Sequence, residues 1–208
     1  EKHLINWNEI YNCKKPPELD FVMDGLLAGT TAAIVAPGAT GKSFLGLQFC
    51  IAVSSFDILG MGIKSGDYKT AYITAEDPKE ILFHRCFDMA KQLSETEQEQ
   101  VAERVAVYSL HGHAPCLLNN RGIIDEECEK SIQALKDMAT GRRLIVIDTL
   151  RKFHAAEEND SGHMTKLTQI LDKIAAETGC AVMFLHHANK AAASGANFEQ
   201  GASRGSSA

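Results

Sequence analysis

The chain has 208 residues, enough for one large domain with a buried core and too few for two full domains at roughly 150 residues each. Hydrophobic residues make up 45% and charged residues 23%, a balance that excludes a disordered or fibrous protein. The formal charge of -6, from 27 acidic and 21 basic side chains, argues against broad attachment to DNA or to an anionic membrane, so any nucleic-acid contact has to be local.

The N-terminus, EKHLINWNEI, has neither the basic region nor the apolar region of a signal peptide, and no apolar run reaches the ~18 residues of a membrane span. The expectation is a cytoplasmic protein with no membrane partner. The six cysteines, at 13, 50, 86, 116, 128 and 180, form no C-x-x-C pair, and Cys50 and Cys180 sit in apolar runs as small buried hydrophobes. A reducing compartment fits them.

After an N-terminal arm over residues 1–16 and the polar run KKPPELD, the residues alternate between strand and helix patterns. Thr31–Ala36 reads as a short buried strand and 43–54 as a helix. Thr70–Thr74 (TAYIT) is a second strand, followed by Glu76, Asp77 and Pro78 and a helix to about Gln92. Ser94 and Glu97 make a capping box for another helix. Residues 104–110 read as a strand, 125–139 as a helix opened by Asp125 and Glu126, and 143–148 (RLIVID) as a strong apolar strand. A helix over 164–178, stopped by Gly179, and a strand over 180–185 complete the series. Strands alternating with helices predict an α/β fold, a mainly parallel sheet with helices on both faces.

The strand TAAIVA runs into Pro37-Gly38-Ala39-Thr40-Gly41-Lys42-Ser43 and then into a helix, the context that a phosphate-binding loop requires. Small residues let backbone N–H groups turn inward around phosphate oxygens. The helix N-terminus adds partial positive charge, Lys42 reaches the β- and γ-phosphates, and the Ser43 hydroxyl ligates Mg²⁺. Nucleotide binding is assigned to Pro37 through Ser43 and to Phe44, which follows. Ala36 stands where the pattern asks for its first glycine, which a negative φ would tolerate.

Asp148, at the end of RLIVID, is placed to hold the water shell of Mg²⁺. Glu76 would point at the γ-phosphate, orienting and deprotonating the attacking water, if its strand neighbours the phosphate loop. Asp77 is the rival acid, read as the cap of the following helix. His186 and His187, directly after CAVMFL, can hydrogen-bond the γ-phosphate and pass its presence to the next loop. Adjacent residues of a strand face opposite ways, which weighs against a zinc site there. The cluster His111, His113 and Cys116 is left unassigned.

The order of phosphate loop, AED, LIVIDTLRKFH, EENDSG, FLHHANK and ASRGSS resembles the RecA/DnaB-type ring ATPases. Among them it is most similar to the RepA-type hexameric replicative helicases of IncQ broad-host-range plasmids. The likeness runs from about Pro17 to Ala208. It implies a RecA-like ATPase core that works as a homo-hexamer, hydrolyses ATP with Mg²⁺ between subunits and moves 5′ to 3′ along single-stranded DNA. Lys42 and Ser43 would bind the phosphates and Mg²⁺, Glu76 would be the base and Asp148 the Walker-B acid. His187 would sense the γ-phosphate, with His186 as the alternative, and Arg204 would be the arginine finger reaching the neighbour's site. Arg85 matches an arginine near the nucleotide, though a helix-surface arginine reads the same way. The loop from Lys190 to Ser203 falls where such proteins place a DNA-contacting loop.

From Ala188 to Ala208, 14 of 21 residues are Ala, Gly or Ser, which reads as a mobile loop whose return strands lie beyond residue 208. The expectation is a single ATPase domain over 1–208, part of a longer product. An ATP-dependent regulatory switch without unwinding activity is the alternative, motivated by the acidic balance. A small-molecule kinase is a third reading, because a phosphate loop does not by itself choose the acceptor.

Overall fold

A computed structural model describes residues 4–157 and 160–187. Five strands, β3 (Thr31–Ala36), β4 (Thr70–Thr74), β5 (Val105–Ser109), β6 (Leu144–Asp148) and β7 (Ala181–His187), form one sheet in the order β3-β7-β6-β4-β5. Every pairing in it is parallel. Two short strands, β1 (Phe21–Met23) and β2 (Leu26–Leu27), pair antiparallel before it.

The central strands β4, β6 and β7 are buried along most of their length because both faces are covered. Ala71, Ile73, Ile145, Ile147, Val182 and Phe184 face a layer built by α5 (Glu126–Ala139) and α6 (Ser161–Thr178), with Leu135, Leu167, Leu171 and Ile174 in the core. The alternate residues Tyr72, Leu144, Val146, Met183 and Leu185 face α2 (Lys42–Ser54) and α3 (Lys79–Ala90), with Leu47, Phe49, Cys50 and Leu82. The period of two thus splits each strand between two cores.

Of the 13 residues of α2, nine are buried, so this helix is enclosed nearly all round. Gly46 lets it sit close: a Cβ built there would lie 3.1 Å from Val146 Cγ1 and 3.2 Å from Tyr72 Cε2. The helix that follows the phosphate loop is therefore pressed onto β4 and β6.

Caps set most other boundaries. Asn6 caps α1 (Trp7–Asn12), Ser94 and Glu97 close a capping box on α4 (Glu95–Arg104), and Asp125 caps α5. Asp160 accepts from Gly162 and His163 N–H groups, which lower its pKa from the ordinary carboxyl value, and so starts α6 three residues before the expected position. The first turn of α6 is polar, which hid it from an apolar periodicity. Gly179 ends α6 at φ +71°, as expected.

Three further differences stand out. The N-terminal arm contains α1, none of whose residues is buried. The β1–β2 hairpin has strands of three and two residues, too short for any periodicity to register. The last strand runs on through His186 and His187 instead of stopping at 185. The expected mobile loop over 188–208 lies outside the described residues. Among the described residues no helix is long and apolar enough to cross a membrane.

Replacing Gly46 by valine is expected to lower the unfolding free energy by about 1–3 kcal/mol through overpacking against Val146 and Tyr72. Urea titration would read this as a lower midpoint at unchanged slope. A midpoint at or above that of the parent would show that α2 does not press on the sheet there.

Candidate active site

The carboxyl ends of β3, β7, β6 and β4 lie along one edge of the sheet, where open α/β folds place their ligands. At the first of these ends the chain turns through Pro37–Gly41 into α2. Ala39 has φ +58° and Gly41 φ +85°, so the loop coils back on itself. Ala36 is not among the positive-φ residues, and the alanine in place of glycine meets no backbone strain. Thr40 Oγ1 donates to Pro37 O at 2.8 Å and ties the loop across its base.

The N-terminus of α2 has no side-chain cap and no acid in its first turn. Its first N–H groups and positive dipole end are thereby left to an anion. Lys42 is 7% exposed, and its ammonium donates to Ala36 O at 2.7 Å and to Pro37 O, inside the loop's curl. A cation fixed there by main-chain carbonyls supplies the charge that a triphosphate needs.

Asp148 ends β6 at 1% exposure. Its Oδ2 accepts a hydrogen bond from the Tyr72 hydroxyl, while Oδ1 is buried and has no hydrogen-bond partner among the described residues. The Ser43 hydroxyl also interacts with Tyr72, which brings the first turn of α2 and the end of β6 to one phenol. One hydroxyl and one carboxylate oxygen, both hard donors, suit Mg²⁺ that keeps most of its water. The residues present therefore fit the cation expected from the sequence. Burial first, and then the Asp148 charge, push the Tyr72 phenol far above its ordinary pKa.

Glu76 follows β4 and is exposed. In the sheet, β7 and β6 stand between its strand and β3, which leads into the phosphate loop. Glu76 reaches the site from the other side, through Asp148's neighbour. Thr149 Oγ1 lies 3.5 Å from Glu76 Oε2, and Ala75 N–H donates to Asp148 O at 3.3 Å. Main-chain bonding from Glu76 N to Thr74 Oγ1 at 3.1 Å fixes where its side chain leaves the strand. The peptide bond from Asp148 to Thr149 is cis.

Asp77 does not cap the helix. Pro78 is the N-cap of α3 and provides no side-chain bond, and the Asp77 carboxylate instead takes both Arg85 terminal nitrogens, with Nη2 at 3.2 Å from Oδ1. The pairing occupies both oxygens of the Asp77 carboxylate. Arg85 also lies over the Phe44 ring, 5.9 Å from its centre. Arg85 and Phe44, both expected near the nucleotide, thus meet at the first turn of α2.

His187 pairs in register with Ala36 and His186 with Val35, so β7 delivers both histidines beside the start of the phosphate loop. His187 is exposed and His186 half-buried. Arg204 and the loop from Lys190 to Ser203 lie outside the described residues. His111 and His113 are exposed, whereas the Cys116 thiol turns to Leu118 O and to Cys128 Sγ at 3.7 Å. Among the described residues no group of three or more His, Cys, Asp or Glu side chains could hold a metal ion. Tyr72 and Thr149 are the members of the site that the sequence reading missed. Tyr72 looked like one more apolar strand residue, and Thr149 like a strand end.

The family described as AAA domain matches residues 4–193, and the chain belongs to it. With its phosphate-loop sequence and its five-strand parallel sheet, it is an α/β P-loop ATPase domain of that family. Among solved structures, the crystal structure of the RadB recombinase is similar at 21% identity and a TM-score of 0.48, covering 78% of this chain. This chain spans 63% of that one's length.

Lys42→Ala is expected to leave the protein folded and to weaken binding of a fluorescent ATP analogue by at least about tenfold, since a charge-assisted contact to phosphate is lost. Equilibrium titration checks it. Unchanged affinity would remove the loop from the site.

Proposed function

We propose that this domain hydrolyses ATP to drive a hexameric replicative DNA helicase of the RepA type along single-stranded DNA. The observation that carries the hydrolysis is the meeting of Lys42, Ser43, Asp148 and Glu76 at one edge of a parallel sheet. The helicase reading rests in addition on the sequence strings DTLRKFH, EENDSG and FLHHANK.

In this reading the N–H groups of Gly38–Ser43 and the Lys42 ammonium grip the β- and γ-phosphates. Ser43 and Asp148 would hold Mg²⁺, which when bound offsets the negative charge of the phosphate oxygens. Glu76 draws the proton from the attacking water while Thr149 steadies its carboxylate. Its exposure leaves room for that water. His187, beside Ala36, registers the presence of the γ-phosphate and passes it to the loop of residues 190–203. Arg204 of one subunit stabilises the charge developing in its neighbour's site, which makes hydrolysis a property of the homo-hexamer. The net charge of -6 keeps any DNA contact local, and this reading assigns it to residues 190–203.

The test is ATP hydrolysis by the full-length protein with and without single-stranded DNA. The reading predicts stimulation of several-fold by DNA, together with displacement of a strand from a forked duplex. Hydrolysis indifferent to DNA would instead point to a nucleotide-controlled regulatory switch.

A further inference from the structure

We propose that Tyr72 is a positioning residue for the Mg²⁺ centre, its hydroxyl fixing one oxygen of Asp148 so that the other is presented to the cation's water shell. The proposal rests on the nucleotide-hydrolysis reading above and adds to it a residue that no phosphate-binding pattern contains.

The geometry begins with strand parity. Tyr72 pairs with Val146 on the neighbouring β6, and Thr74 pairs with Asp148. Tyr72 and Asp148 therefore stand two rows apart on the same face of the sheet, the face that α2 covers. A tyrosine is long enough to run along that face to the carboxylate. Gly46 gives its ring the room, since a Cβ there would lie 3.2 Å from Tyr72 Cε2. The same ring contact that seats α2 on the sheet thus sets the height of the phenol under the phosphate loop.

Tyr72 has no exposed surface, and a phenylalanine would fill the same space without a polar atom to satisfy. Its hydroxyl bonds to Asp148 Oδ2 and interacts with Ser43, the two residues that would hold the cation. A carboxylate with both oxygens free turns readily about its last torsion. Holding Oδ2 restrains that rotation and leaves buried Oδ1 as the oxygen with no hydrogen-bond partner among the described residues.

Tyr72→Phe removes only the hydroxyl. In the full-length protein, Mg²⁺ titrations would follow binding of a fluorescent non-hydrolysable ATP analogue, and near-UV circular dichroism would confirm the fold. The half-saturating Mg²⁺ concentration is expected to rise about 10- to 100-fold, as when the partner of a metal ligand is lost, while Mg²⁺-free binding stays unchanged. Against Asp148→Asn, which lacks the carboxylate, adding Tyr72→Phe should produce little further shift. This pair also keeps the comparison available if the lone phenylalanine variant folds poorly with an unpaired buried carboxylate. Coincident Mg²⁺ curves for parent and Tyr72→Phe, or full shifts in both backgrounds, would overturn the positioning role alone. A parent protein whose nucleotide binding ignores Mg²⁺ would overturn the hydrolysis reading and this proposal with it.

Discussion

Asp148 is a carboxylate at the end of an apolar strand, 1% exposed, and taking such a charge out of water costs several kcal/mol unless it is paired. The described protein supplies one partner, Tyr72, to one of its oxygens. The arrangement around it follows from that constraint. Tyr72 must lie on the α2 face two rows away, α2 must approach closely enough to cover it, and Gly46 is what lets α2 do so. The phosphate loop is then held where its helix N-terminus and Asp148 share one edge. A cation between Ser43 and Asp148 would complete the pairing that folding leaves half made.

Much of the fold was legible because its central strands are buried on both faces and most of its helices are marked by caps. The runs TAAIVA and TAYIT could be read as strands to the residue and RLIVID to within one, and Asp125, Ser94 with Glu97, and Gly179 announced helix ends through local hydrogen bonding. The β1–β2 hairpin could not be read, because five residues carry no period. The histidines were taken to follow the last strand when they end it, since polar residues at a strand's carboxyl edge look like the start of a loop.

The site was legible wherever chemistry dictates residue type at fixed spacing, as in Gly41-Lys42-Ser43. It was less so wherever distant elements meet. Strand order decides whether Glu76 can reach the site, and strand order is set by packing between layers, which no local pattern records. Asp77, the rival acid, pairs with Arg85, whereas the Glu76 carboxylate lies beside Thr149. Tyr72 was invisible for the opposite reason: its alternation reads as core, and only its hydroxyl has a polar partner.

The claim on which the rest depends is that these strand ends form one hydrolytic centre with Glu76 as its base. The most direct test is the single-turnover rate of ATP hydrolysis by Glu76→Gln beside the parent, with nucleotide affinity measured on both. Loss of a general base predicts a rate lower by about 10²- to 10⁴-fold at undiminished affinity. A glutamine variant that turns over ATP at the parent's rate would contradict the account.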